Sequence, residues 1–217
     1  MKSYVITIMD NPRSVEVATR CIESGKKFGV EVDYHPAFTP KNNPEQMMID
    51  KGINYDRFKN NQYSRFEPCM AAFLSHRQCW KKAIELDEPV LVLEHDAVFT
   101  APLPKVNIAF KVISFGKPSY GSYRASTKEG FFAVFSKPGG YLPGAHAYLV
   151  SPRGAKILVE KSYMLAEPTD IYLKKDNFPW LTEYYPWPVM ADDSFSCIQL
   201  DEGCKAKHNY NKGIEII

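Results

Sequence analysis

The sequence predicts an α/β fold, a single domain with a mixed, mostly parallel central sheet flanked by helices. Three observations carry this expectation. The first thirty-eight residues read as strand, helix and strand, the arrangement that joins parallel neighbours through a helical crossover. Pro89 to Glu94 is a continuous apolar run without alternation, the pattern of a central parallel strand covered on both faces. Finally, 217 residues with 45% hydrophobic and 24% charged side chains suit one α/β domain with inserted loops and a sizeable core.

The elements follow in order from local chemistry. A strand is expected over Tyr4 to Met9 and a helix over Pro12 to about Phe28. Asn11 is a good N-cap, Pro12 is pre-set for the first helical position, and Gly29 suits the left-handed residue that ends a helix. A second strand should run from Val30 to Phe38. Thr39 to Glu67, rich in Asn, Pro, Lys and Asp, reads as a surface excursion with a short helix near Pro44 to Lys51, and loops this long are usually functional. A helix over about Pro68 to Leu86 follows from Phe73, Leu74, Trp80, Ala83 and Ile84 on one 3.6-residue face. After the Pro89 to Glu94 strand, further strands are expected at Phe110 to Phe115, Phe131 to Phe135 and His146 to Val150. Ser151 and Pro152 open a helix to about Tyr163, and a second helix starts near Pro168 and runs to about Asn177. An extended segment and a turn close the chain from Glu183.

Charge and cysteine content narrow the function. A net charge of +2, from 27 Lys and Arg against 25 Asp and Glu, is too small for a nucleic-acid footprint. The apolar stretch at Tyr4 to Met9 is too short for a signal peptide, and no run of apolar residues is long enough to span a membrane. Cys21, Cys69, Cys79, Cys197 and Cys204 form no C-x-x-C pair and are odd in number, so they read as free thiols in a reducing, cytoplasmic compartment. The glycine-rich loops of dinucleotide binders and phosphate-loop enzymes are both missing from the opening strand and helix.

The main chemical signal is the pair Glu94 and Asp96, at the end of the apolar strand where open α/β sheets place ligands. Alternate residues of a strand share a face, so the two carboxylates would hold one hard cation, Mg²⁺ or Mn²⁺, bridging a diphosphate. An ordinary acidic turn is the competing reading. Aromatic residues crowd the second half, Tyr120, Tyr123, Tyr141, Tyr184, Tyr185 and Trp187 among them, and fill cores as readily as they stack on sugars. Tyr141, between Gly139-Gly140 and Pro143-Gly144, is the one expected near an acceptor, because glycines allow close backbone approach.

The segment from Phe66 to Ala97 resembles the family 25 glycosyltransferases of lipooligosaccharide biosynthesis. Their pattern is a Cys, a Ser-His-x-x-x-Trp helix, and an apolar strand ending in Glu-Asp-Asp, matched here by Cys69, Ser75, His76, Trp80, Glu94 and Asp96. His95 departs from it, standing where the family has the middle Asp. Tyr4 to Arg13 is similar to the family's opening strand and Arg-bearing turn. Ala147 to Lys156 resembles its aromatic-Leu-Ile-Ser-x-x-Gly-Ala-Lys segment, and Pro168 to Asp170 its Pro-x-Asp.

The resemblance implies a GT-A fold that binds a nucleotide-sugar donor, a UDP-sugar, with Mn²⁺ or Mg²⁺ and moves a hexose with inversion to a glycan, glycolipid or glycoprotein acceptor. Residues 1–99 would form the donor part and 100–217 the acceptor part, with peripheral membrane contact compatible with such an acceptor. Donor-site candidates are Ile8, Asp10, Asn11, Arg13, Ser75, His76, Glu94, His95 and Asp96. The metal candidates are Glu94, Asp96 and His208, the last because GT-A enzymes often draw a ligand from a histidine near the C-terminus; a tail histidine without a role is its alternative. Asp170 is the first candidate for the base that takes the acceptor proton. A helix-capping role competes with this, and the helix end would favour its ionised form. Asp192 and Asp193 are the reserve. His76 has a competing role as a helix-to-strand hydrogen bond that positions the acidic loop. Two other functions remain open: a catalytically inactive sugar-nucleotide or glycan-binding module, and a metal-dependent hydrolase using Glu94, His95, Asp96 and His208.

Overall fold

In a computed structural model, residues 1–59, 65–119, 123–134, 140–192 and 214–216 are described. β1 (Lys2–Thr7) leads into α1 (Pro12–Lys27), whose N-cap Asn11 accepts from the Arg13 and Ser14 amides at 3.0 and 3.3 Å. Gly29, at φ +75°, turns the chain out of the helix. β2 (Asp33–Pro36) is shorter than the run from Val30 suggests and pairs parallel to β1. The excursion then folds as a 3₁₀ turn (Pro40–Asn42), α2 (Pro44–Asp50) and α3 (Asp56–Lys59).

Next come α4 (Phe66–Glu85), β3 (Val90–Glu94) and β4 (Ala97–Phe99), followed by β5 (Val112–Ser114), β6 (Tyr123–Ala125) and β7 (Gly130–Ala133). β8 (Ala147–Val150) runs into α5 (Pro152–Leu165), capped by Ser151, whose side chain accepts from the Gly154 amide at 3.1 Å. α6 (Thr169–Tyr172), β9 (Thr182–Tyr185), β10 (Val189–Ala191) and β11 (Ile214–Ile216) complete the order. The helix expected to reach Asn177 stops at Tyr172. The Tyr172 carbonyl accepts from the Lys174 amide at 2.9 Å and from Asn177 Nδ2 at 3.0 Å.

The central sheet has seven strands in the order β2-β1-β3-β8-β5-β9-β7. β8 is antiparallel to both β3 and β5, and β7 is antiparallel to β9, while the remaining pairings are parallel. Five of the seven strands therefore point one way. β3, expected between parallel neighbours, has β1 parallel on one side and β8 antiparallel on the other. Its apolar run is covered on both faces all the same. Val90 and Val92 join the core beneath α4 and α5, and Leu91 and Leu93 join the core beneath α1 and β4. Each of these four side chains is fully buried, worth roughly 1.5–3 kcal/mol apiece.

The α4 side is aromatic. Phe73, Trp80, Tyr172 and Phe178 pack together with ring centroids 5.1 to 5.7 Å apart, edge to face except for the stacked Trp80 and Tyr172. Phe73, Leu74, Trp80 and Ala83 are buried, so the predicted face of α4 is the one that packs.

Candidate active site

Glu94 is the last residue of β3, and strand parity places it on the α4 face with Val90 and Val92. There His76 meets it: Nε2 lies 3.0 Å from Glu94 Oε1, and Nδ1 lies 2.9 Å from the Tyr148 hydroxyl. Trp80 Nε1 donates to the same hydroxyl at 2.7 Å. Because the indole can only donate, one assignment leaves no donor idle. The Tyr148 O–H donates to His76 Nδ1, and the His76 Nε2–H donates to Glu94. Burial pushes the His76 pKa down to about 3, with Asp170 opposing, so the imidazole stays neutral. Burial also raises the Glu94 carboxyl to about 8, although its side chain keeps 29% of its surface at the cleft.

Strand parity does not carry Asp96 to the same place. The strand ends at Glu94, and residues 95 and 96 form a turn before β4. Asp96 is turned toward α1, where its charge, after burial, adds to what pushes the Cys21 thiol up. Its carbonyl accepts from the Asp192 amide at 2.8 Å. His95 Nδ1 lies 2.7 Å from Ser14 Oγ, which in turn accepts from the Ile8 amide at 3.0 Å, so the residue that departs from the family pattern ties the acidic turn to the start of α1. Burial lowers its pKa to about 4.

These elements enclose a cleft of about 640 Å³. Ile8, Asp10, Asn11, Ser75, His76, Glu94, His95 and Asp96 all line it, and Arg13, one step inside α1, does not. The excursion supplies Phe38, Thr39, Lys41 and Arg65 to the opposite wall. Lys41 Nζ lies 2.5 Å from Asp10 Oδ2 and holds that carboxyl below the usual range. Ser75 Oγ accepts from the Phe38 amide at 2.8 Å and donates to the Ala71 carbonyl, fixing this wall to α4.

Asp170 sits in the first turn of α6 with its carboxyl accepting from the Ile171 amide at 2.9 Å. It is not the N-cap; Pro168 is, and α6 is a single turn. Burial raises Asp170 to about 7, the nearby Glu94 charge adds to the rise, and the amide bond opposes it. The helix end therefore does not set its protonation. Asp192 is paired with Arg20, and neither it nor Asp170 lines the cleft. His208, Asp193, Tyr120 and Gly139 lie outside the described residues. Among the described residues, no three His, Cys, Asp or Glu side chains converge to hold a metal ion. Both Glu94 and Asp96 border the cleft, and a Mg²⁺ or Mn²⁺ ion shared between them would have to bridge the two sides of the turn, with water and substrate phosphates completing its shell.

Sequence reasoning reached the acidic turn, its histidine neighbours and the opening turn. It missed Tyr148 and Ser14, which hold the two histidines, and Lys41 and Arg65 on the excursion.

A cleft at the carboxyl ends of parallel strands, bordered by Glu94, Asp96, Lys41 and Arg65, lies where open α/β enzymes take their ligands. Residues 1–111 match the model of glycosyltransferase family 25, described as an LPS biosynthesis protein. The chain belongs to that family and is a glycosyltransferase. No curated protein matches it. Among solved structures it is similar to CTP:phosphocholine cytidylyltransferase from Streptococcus pneumoniae, at 14% identity over 89% of this chain and 93% of that one, with a TM-score of 0.39. Among the described residues, no helix is long and apolar enough to cross a membrane.

Proposed function

We propose that the cleft binds a UDP-sugar and that the enzyme transfers its hexose, with inversion, to a hydroxyl of a glycan, glycolipid or glycoprotein. Residues 1–99 are the donor part in this reading, and 100–217 the acceptor part. One observation carries it: Ser75, His76, Glu94 and Asp96 line one cleft with Lys41 and Arg65, and near Glu94 burial raises the Asp170 carboxyl to about 7, where a general base both holds and accepts protons near neutral pH.

Lys41 and Arg65 face the diphosphate in this arrangement, and Ser75 fixes the wall that carries Phe38. The acceptor oxygen bonds to the anomeric carbon while the bond from that carbon to the diphosphate breaks, its electron pair leaving with UDP. The acceptor proton passes to the Asp170 carboxylate. Glu94 and Asp96 would hold a divalent cation, with His208 as a further ligand, and that cation would offset charge on the leaving diphosphate. The neutral His76 donates to Glu94 and keeps its carboxylate oriented.

Asp170→Asn tests the assignment. It should lower kcat by about 10² to 10⁴ and leave donor affinity nearly unchanged. In the parent enzyme the rate should rise with pH through about 7, as Asp170 loses its proton, and that limb should vanish in the variant. A variant with near-normal kcat passes the role to another carboxylate. A panel of nucleotide sugars, followed by slow hydrolysis with and without Mn²⁺, identifies the donor and the metal requirement.

A further inference from the structure

Phe38 lines a second pocket, of about 300 Å³, on another face of α4. Leu74, Arg77, Gln78, Lys81, Lys82 and Glu85 contribute to it from α4, and Lys51 comes from the end of α2. Positions 74, 77, 78, 81, 82 and 85 follow the i, i+3, i+4 spacing of one helical stripe. Four cationic side chains and one carboxylate therefore border the pocket, a local surplus of positive charge, with Lys82 Nζ lying 5.2 Å from the centre of the Tyr4 ring.

Arg77 makes this more than a solvated basic face. It is 3% exposed, its Nε donates to Ser162 Oγ at 2.8 Å, and its guanidinium lies 5.0 Å from the centre of the Tyr163 ring. Its Nη2 carries no hydrogen bond and is buried. A buried guanidinium N–H left unpaired is costly, and an ordered water or ion is its usual partner. An arginine fork with lysine ammoniums around it matches a tetrahedral oxyanion, which accepts several charged hydrogen bonds at once.

We propose that this pocket binds a phosphate-bearing group, separately from the donor cleft. Phosphate on a lipid headgroup and free phosphate share the chemistry, and the experiment separates them. Inorganic phosphate is titrated into the protein by calorimetry at constant ionic strength, with chloride as the control. The same protein is sedimented with vesicles of phosphatidylcholine, with and without phosphatidic acid. Lys51→Gln/Lys81→Gln alters two exposed side chains outside the cleft, and Arg77→Lys keeps the charge while removing the fork.

Saturable phosphate binding, weakened at least about tenfold by the double variant, the loss expected from even one of its two charge-assisted hydrogen bonds, supports the site. Sedimentation with phosphatidic acid that free phosphate competes away assigns a headgroup, and phosphate binding without sedimentation assigns a soluble ligand. Arg77→Lys with unchanged thermal midpoint should also bind more weakly. The proposal is overturned by no saturable binding in either arm, by binding that the double variant leaves intact, or by an effect that chloride reproduces. UDP binding, measured on the same samples, reports on the donor cleft independently.

Discussion

Glu94 reaches the α4 face because it is the last residue of β3 in register with Val90 and Val92. Its protonated form is favoured in the folded chain, with a pKa near 8 against an ordinary 4.5. The folded state therefore binds more protons than the unfolded state between those values, and stability falls as pH rises through that window. Asp170 adds the same sign between 3.8 and about 7. Denaturant unfolding at a series of pH values should show this slope, and Glu94→Gln should flatten its upper part, from about 7 to 8. Tyr148→Phe removes the acceptor for Trp80 Nε1 and the donor to His76 Nδ1. It should cost about 1–3 kcal/mol in equilibrium unfolding; an unchanged stability would refute the assigned chain of donors. Glu94 and His76 were legible through their match to the family pattern, a Ser-His helix followed by an apolar strand that ends in an acid, since an acidic turn after a strand is common on its own. The Tyr148 hydroxyl was not, since an aromatic residue in a strand reads as core whether or not its oxygen has work.

Elements with strong periodicity were legible nearly to the residue. α1 and α4 lie where caps and apolar spacing put them. α6 was overestimated because Pro168 signals a helix start while the stop is a tight turn at Leu173, φ −79° and ψ 69°, where no Gly or Pro announces it. The excursion reads as a long loop of the kind that is usually functional, and it supplies one wall of the cleft, but no pattern in it shows that Lys41 reaches Asp10. Such pairing depends on where the chain returns. α5 offers a sharper case. Its Gly154 packs on the Lys111 carbonyl, which also accepts from the Ser151 amide at 2.9 Å, and an added Cβ would overlap that oxygen. Gly154→Ala, a good helix former elsewhere, should here destabilise by about 1–3 kcal/mol. A rise in melting temperature would show that α5 can shift freely away from the Lys111 strand approach.

At the scale of the molecule, the sequence predicted a mostly parallel sheet with helices on both faces, and five co-directional strands with two separate cores realise it. What composition and periodicity could not supply was strand order. The antiparallel insertion of β8 between β3 and β5 joins residues far apart in the chain and leaves no local signature. That insertion brings Tyr148 beneath α4, beside the histidine it supports.

The turn at residues 95 and 96 has a dynamic consequence. It leaves Glu94 anchored to α4 through His76 and ties its neighbour His95 to α1 through Ser14, so each layer of the molecule holds one side of the same cleft. A ligand that engages both sides links the opening fluctuations of the two layers, which are otherwise packed against separate faces of the sheet. Amide hydrogen exchange should then slow together at the start of α1 and along the 71–76 turn of α4 when UDP is added. Protection confined to one layer would mean that the nucleotide rests on a single wall, and that the two halves breathe independently even when the enzyme is loaded.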